Sequence, residues 1–209
     1  MASRFQRFPR VTKMRITKES QLVIGNLVAA VEMLEKCAEF PMLMPEVRVN
    51  LVHALPGAKS ANEVAAIEGR ITVVNGLPHA SGLPKWGVSD HMARLVLEVR
   101  KYDQTVNAGI NFKCDAEIIE VAKEYSREKN ILFGFIDRTK EPPEVAEIDR
   151  MSMPWKVKQL VTPCGMPHLF YEGDGWGKEP LFMAVGKDAV EVARIAIDIA
   201  KRYRKRKAA

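Results

Sequence analysis

The chain has 209 residues, 47% of them hydrophobic and 28% charged, with a formal net charge of +6. Such proportions suit a globular protein with a sizeable core, and no apolar run approaches the roughly 20 residues of a membrane span. Three widely spaced cysteines, Cys37, Cys114 and Cys164, argue against a disulfide framework or a cysteine zinc site and fit a reducing cytoplasm.

The positive charge belongs to the two ends. Residues 1–18 carry six basic side chains and no acid, and residues 201–209 carry six more, again without an acid. With these set aside, residues 19–200 hold 20 basic and 26 acidic side chains, so the body is acidic. The expected organisation is a basic N-terminal tail (1–18), one domain (19–203) and a basic C-terminal tail (204–209). Basic ends can touch nucleic acid electrostatically, but solvated tails are the commoner case, and nucleic acid is not the expected partner. The N-terminal segment lacks an apolar h-region, so a secretory leader is not expected.

In chain order, residues 19–39 place Leu22, Val23, Leu27, Val31, Leu34 and Ala38 on one stripe, which predicts an amphipathic helix ended by Pro41 and Pro45. Val47 to Leu55 reads as a strand with a Pro56-Gly57 turn, and Arg70 to Val74 as a short β-branched strand. Three glycines and two prolines between Asn75 and Gly87 predict an irregular loop. A helix starts near Ser89 and turns Met92, Leu95, Val96 and Val99 inward. Val106 to Phe112 reads as a strand interrupted by Gly109, and Asp115 caps a helix reaching about Lys129. Ile131 to Ile136 is an apolar strand ending in Asp137-Arg138. Leu169 to Glu172 and Leu181 to Val185 flank a Gly173 to Pro180 turn, and a last helix runs from Lys187 to about Arg204. Interleaved helices and strands indicate α/β layers.

The chemistry concentrates in Glu68-Gly69-Arg70-Ile71 and Gly87-Val88-Ser89-Asp90-His91-Met92-Ala93-Arg94. An arginine on a strand and a histidine behind a serine cap at a helix start suit an anionic, phosphorylated ligand. Each residue also has a plainer reading. Arg70 has Glu68 and Glu46 as salt-bridge partners, His91 can be a capping-region residue, and Asn50 can satisfy a buried turn. Asp137-Arg138 can be an ordinary ion pair. The stretch from Gly173 to Lys178 resembles a phosphate cradle without the P-loop spacing, and a β-hairpin is at least its equal. Trp86, Trp155 and Trp176 offer surfaces on which a flat ring can stack, with packing as the alternative.

Taken in order and spacing, these motifs resemble the archaeal-type thiamine-phosphate synthase family, ThiN. The resemblance runs through Leu43 to Asn50, Ala54 to Ala58, Val64 to Ile71, Gly87 to Arg94, Asp137-Arg138 with Glu141-Pro142, and Asp174 to Pro180. It implies an α/β fold, a three-layer α/β/α sandwich around a mixed sheet, similar to the class II aldolase (AraD-like) arrangement without its histidine zinc site. It also implies a cytoplasmic enzyme that joins hydroxymethylpyrimidine diphosphate to hydroxyethylthiazole phosphate, with Arg70 and His91 as the catalytic residues.

Asn50, Ser89, Arg94, Asn111, Asp137, Arg138, Asp174 and Lys178 are the candidates for substrate binding. Asp90 stands where a small or hydroxyl residue is expected. Magnesium is the expected companion of a diphosphate leaving group, with Asp137, Glu141, Asp174 and Glu179 as candidate ligands. A homodimer is compatible with such a fold, though no residue demonstrates it. Two other readings stay open: a sensor that binds thiamine phosphate without making it, and a sugar-phosphate aldolase. The short segment ahead of the first helix offers no room for a helix-turn-helix module, and the pairing of Arg70 with His91 favours the enzyme.

Overall fold

The computed structural model describes residues 16–142, 144, 149–173 and 179–208. Its main sheet has seven strands in the order β5-β2-β1-β6-β9-β8-β7. The strands are β1 (Leu51–Ala54), β2 (Val64–Ile67), β5 (Pro84–Trp86), β6 (Ala108–Lys113), β7 (Phe133–Ile136), β8 (Leu169–Glu172) and β9 (Leu181–Gly186). Every pairing is antiparallel except β7 with β8, which makes the sheet mixed. The strands β3 (Ile71–Val74) and β4 (Leu77–Ala80) form a separate two-stranded sheet.

Side chains alternate between two faces. On β6, Ala108, Ile110 and Phe112 join a core with α1 (Lys18–Glu35), α3 (Ala116–Lys129) and α5 (Ala189–Ala208). Across the sheet, Val52, Ala54, Phe170, Met183 and Val185 meet α2 (His91–Val99) and α4 (Asp149–Leu160). The result is a three-layer α/β/α sandwich. Gly109 lies inside β6, where a Cβ would come within 3.1 Å of both Met92 and Val96 of α2. Its missing side chain lets α2 seat closely on the sheet.

Several expectations need correction. α1 ends at Glu35, and Leu22 points outward while Ser20, Val23, Leu27, Ala30 and Leu34 are buried. Its start is set by Thr17, which forms a capping box with Ser20. The strand expected from Val47 begins only at Leu51, because Arg48 adopts a left-handed backbone (φ 66°). The predicted loop 75–87 contains β4 and β5. Asn75 and Gly76, at φ 51° and 78°, make the two-residue turn between β3 and β4, and Pro84 sits on β5 at the sheet edge, where a missing N–H is tolerated. Helix α4 was not expected. Residues 204–208, expected as a tail, continue α5, which pairs Arg202 with Glu128, Arg206 with Glu124 and Lys207 with Glu117 on α3. No described helix is long and apolar enough to cross a membrane.

Candidate active site

One end of the sheet, on the α2/α4 side, frames a cavity of about 320 Å³, near the lower bound for small-ligand sites. The segment before β1 contributes Val47 and Asn50, β6 contributes Asn111, and β9 contributes Leu181 and Met183. Arg138 follows β7, and Glu172 ends β8. Helix α2 supplies His91, Met92 and Arg94, helix α4 supplies Ser152, Met153 and Lys156, and Arg70 closes the mouth. A shallower concavity of about 590 Å³ shares Arg70 and His91 and adds Arg48, Ser89 and Asp90.

Arg70 has φ 71°, a backbone conformation that L-residues rarely hold. The conformation is locked from both sides. The Arg70 N–H donates to the Ile67 carbonyl, Ser81 donates to the Arg70 carbonyl, and Ile71 bridges to Val49. The guanidinium donates to the Val47 carbonyl. Glu68 pairs with Lys85 instead, and among the described residues no carboxylate pairs with Arg70. Its charge therefore stays available to an anion.

The Asn50 segment is clamped across the sheet. Its N–H donates to Asn111 Oδ1 at 2.6 Å, and Asn111 Nδ2 donates to the Arg48 carbonyl at 3.2 Å. Asn50 Nδ2 in turn donates to Ser89 Oγ at 2.9 Å. Ser89 is thus committed to Asn50 and does not cap α2. The residue before the helix is Asp90, with helical dihedrals and no side-chain cap. Arg94 Nε and Nη2 both donate to Asp90 Oδ2, at 3.0 and 2.6 Å. The carboxylate that suited the site least faces a cation one helical turn away.

Deeper in the cavity lies a buried ionic cluster. Lys156 Nζ contacts Glu172 Oε1 at 2.9 Å and Oε2 at 3.0 Å, and Arg138 Nη1 donates to Oε2 at 3.0 Å. Arg138 also pairs with Glu141 at 2.7 Å, and Glu141 accepts from Ser152. Burial alone raises a carboxyl, but the adjacent Lys156, with His91 and Arg138, holds Glu172 below its usual range. Burial pulls Lys156 down, and Glu172 opposes that pull. The direction at Glu172 is that of a carboxylate held ionised by its partners, and the direction at Lys156 is the mark of desolvation that Glu172 only partly offsets.

The anticipated residues divide accordingly. Arg70, His91, Asn50, Arg94, Asn111 and Arg138 line the cavity, and Ser89 lines the adjoining concavity. Asp137 does neither: it binds Thr139 and pairs with Lys140. Asp174 and Lys178 lie outside the described residues, as does Trp176. Trp86 and Trp155 pack against the two cores, and the apolar lining comes from Val47, Leu181 and the methionines Met92, Met153 and Met183.

The described carboxylates do not fit a resident metal. Glu179 accepts the Glu46 and Val47 N–H groups at 3.0 and 2.7 Å, Glu141 and Glu172 are tied to cations, and Asp137 is tied to its own turn. Among the described residues no group of three acidic, histidine or cysteine side chains is placed to hold one.

Lys156 and Glu172 were not anticipated. The available signal was the spacing of Met153, Val157 and Leu160, an apolar helical stripe that puts Lys156 beside it, and a glutamate ending the apolar strand Leu169–Glu172.

Known proteins resemble the chain over most of its length. The profile of the family "Thiamine-phosphate synthase ThiN" matches residues 26–198. Thiamine-phosphate synthase ThiN of Methanothermobacter thermautotrophicus is 34% identical over 182 residues, covering 87% of this chain and 94% of that protein. The bifunctional thiamine biosynthesis protein ThiDN of Methanocaldococcus jannaschii is 34% identical over 191 residues, which cover 90% of this chain and 42% of that protein. Among solved structures, the C-terminal domain of a phosphomethylpyrimidine kinase superposes with a TM-score of 0.78 at 29% identity, covering 87% of this chain and all of that domain. With residues 26–198 matched by the family profile and a relative 34% identical over most of both chains, the chain belongs to the ThiN family of thiamine-phosphate synthases.

Proposed function

We propose that the protein is a transferase that joins hydroxymethylpyrimidine diphosphate to hydroxyethylthiazole phosphate, giving thiamine phosphate and pyrophosphate. The observation that carries this reading is the convergence of Arg70 and His91 on one cavity, in a chain whose family is named for that synthesis. In the reaction the bond between the exocyclic methylene carbon of the pyrimidine and the diphosphate oxygen breaks, and its electrons leave with pyrophosphate. The thiazole nitrogen lone pair then forms the new carbon–nitrogen bond.

Such a step calls for charge stabilisation at the leaving group more than for a strong base. Arg70 supplies a forked donor for phosphate oxygens, and His91, when protonated, supplies a second. The concavity beside them gives the diphosphate room. Magnesium belongs in this proposal as the ion that travels with the diphosphate substrate; the described carboxylates do not offer it a site, and no step is assigned to it. The three cysteines, none of them in a disulfide among the described residues, accord with a cytoplasmic setting.

The test is to incubate the protein with both phosphorylated precursors and magnesium and to assay thiamine phosphate. Its appearance supports the synthase. Tight binding of thiamine phosphate without turnover supports the sensor instead.

A further inference from the structure

The Lys156–Glu172 pair is more than a structural tie. Lys156 comes from α4 and its side chain is only 4% exposed, and Glu172 ends β8 and is also buried. Taking two charges out of water usually costs more than their attraction returns, and apolar residues of similar size serve stability as well or better. An ion pair of this kind on a cavity wall therefore points to the cavity's occupant.

The hydrogen-bonding capacity of the pair is not used up. An ammonium has three N–H groups, and two of them are aimed at Glu172. A carboxylate offers about four acceptor positions, and Lys156 and Arg138 take three of them. Among the described residues this leaves one donor on Lys156 and one acceptor on Glu172, on groups in direct contact. Both residues line the cavity, facing an apolar wall of Met92, Met153 and Met183.

A side-by-side donor and acceptor opposite an apolar wall suits a flat heterocycle that carries a ring nitrogen next to an amino group. The pyrimidine of thiamine has that edge, in its N3 and 4-amino group. Resting on the synthase reading above, we propose that Lys156 and Glu172 read the aminopyrimidine: Lys156 donates to the ring nitrogen, and Glu172 accepts from the 4-amino group. The methionines pack on the ring.

This arrangement also assists the chemistry. A carboxylate that accepts from the amine strengthens electron donation from the amine nitrogen into the ring, which stabilises positive charge on the methylene carbon as pyrophosphate leaves. The proton stays on the amine, and the electrons of the broken bond stay with pyrophosphate.

The experiment compares two alcohols by calorimetric titration of the full chain: 4-amino-5-hydroxymethyl-2-methylpyrimidine and its analogue lacking the amino group. The unmodified protein should bind the amino compound roughly 10- to 100-fold more tightly, the scale of hydrogen bonds to charged groups. Lys156→Met should lose most of that preference; because it takes one partner from a buried pair it should also lower the melting temperature, so binding is compared at a temperature where the variant is folded. In turnover it should raise KM for the pyrimidine diphosphate and leave KM for the thiazole phosphate unchanged. Equal binding of the two alcohols, binding of neither at millimolar concentration, or full affinity in a folded Lys156→Met variant overturns the proposal. Selective binding of the amino compound without any turnover supports it and overturns the synthase reading. Turnover with no selectivity does the reverse.

Discussion

At the start of α2, Arg94 directs two guanidinium N–H groups onto a single oxygen of Asp90, one helical turn earlier, at 3.0 and 2.6 Å. The pair sets the charge of the cavity mouth, because Asp90 offsets a cation where anions are to bind. Arg94→Ala would leave that carboxylate beside the anion site. It should raise KM for both phosphorylated substrates by about fivefold, the scale of a water-screened charge interaction of about 1 kcal/mol at an exposed carboxylate. Asp90→Asn added to Arg94→Ala should recover part of the loss. A double-mutant cycle on kcat/KM checks this, and a double variant worse than Arg94→Ala alone contradicts it.

Arg70 and His91 should each matter to turnover far more than to folding. Removing one donor to developing anionic charge typically lowers kcat by about 100- to 1000-fold. Arg70→Ala and His91→Ala should show that loss, with melting temperatures close to the unmodified protein. Arg70→Gly is the sharper control, since glycine accepts φ 71° without strain. Its stability should match or exceed that of the arginine protein while its turnover falls equally. A full-rate variant at either position removes it from the mechanism.

Much of this site was legible in the sequence, and the parts that were not share a cause. Arg70, His91 and Asn50 sit in motifs that survive as local words, so their pairing across the fold could be anticipated. The Asn75-Gly76 turn was also written plainly, but the surrounding glycines and prolines read as loop. Prolines at 78 and 84 are tolerated because they fall on a two-stranded sheet and a sheet edge. The clamp of Asn111 on Asn50 spans 61 positions and depends on strand register, which no local pattern encodes. Helix α4 was hidden by Pro154 inside it and by a run of methionine and tryptophan, and with it went Lys156.

His53 should give the fold a specific weakness to acid. It is buried on β1, its Nδ1 has no hydrogen-bond partner among the described residues, and burial lowers its pKa from 6.5 to about 4, against a smaller opposing effect of Asp188. Between those two values the unfolded chain binds a proton that the folded chain refuses. Stability is therefore full above pH 6.5 and falls as the pH drops towards 4, by roughly 3 kcal/mol from this group. His53→Leu, similar in size, should flatten that part of the curve. Melting temperatures across the window measure it, and an unchanged slope in the variant assigns the acid sensitivity to other groups.

Gly109 should connect packing to catalysis. A methyl group there meets Met92 Cε and Val96 Cγ2 at 3.1 Å, tighter than ordinary contact, so these two side chains of α2 must give by a few tenths of an ångström to accept it. Overpacking of this kind costs about 1–3 kcal/mol. Because α2 carries His91, Met92 and Arg94 into the cavity, the displacement should reach the site as well. Gly109→Ala should lower the melting temperature and reduce kcat/KM beyond what the lost folded fraction explains. Val96→Ala on that background removes one of the two clashes and should restore part of both, even though the same change alone opens a cavity. Thermal melts paired with steady-state rates at a temperature where both variants are fully folded separate the two effects. Wild-type rates in a destabilised Gly109→Ala protein would show that α2 holds its place at the site without the close seat on β6.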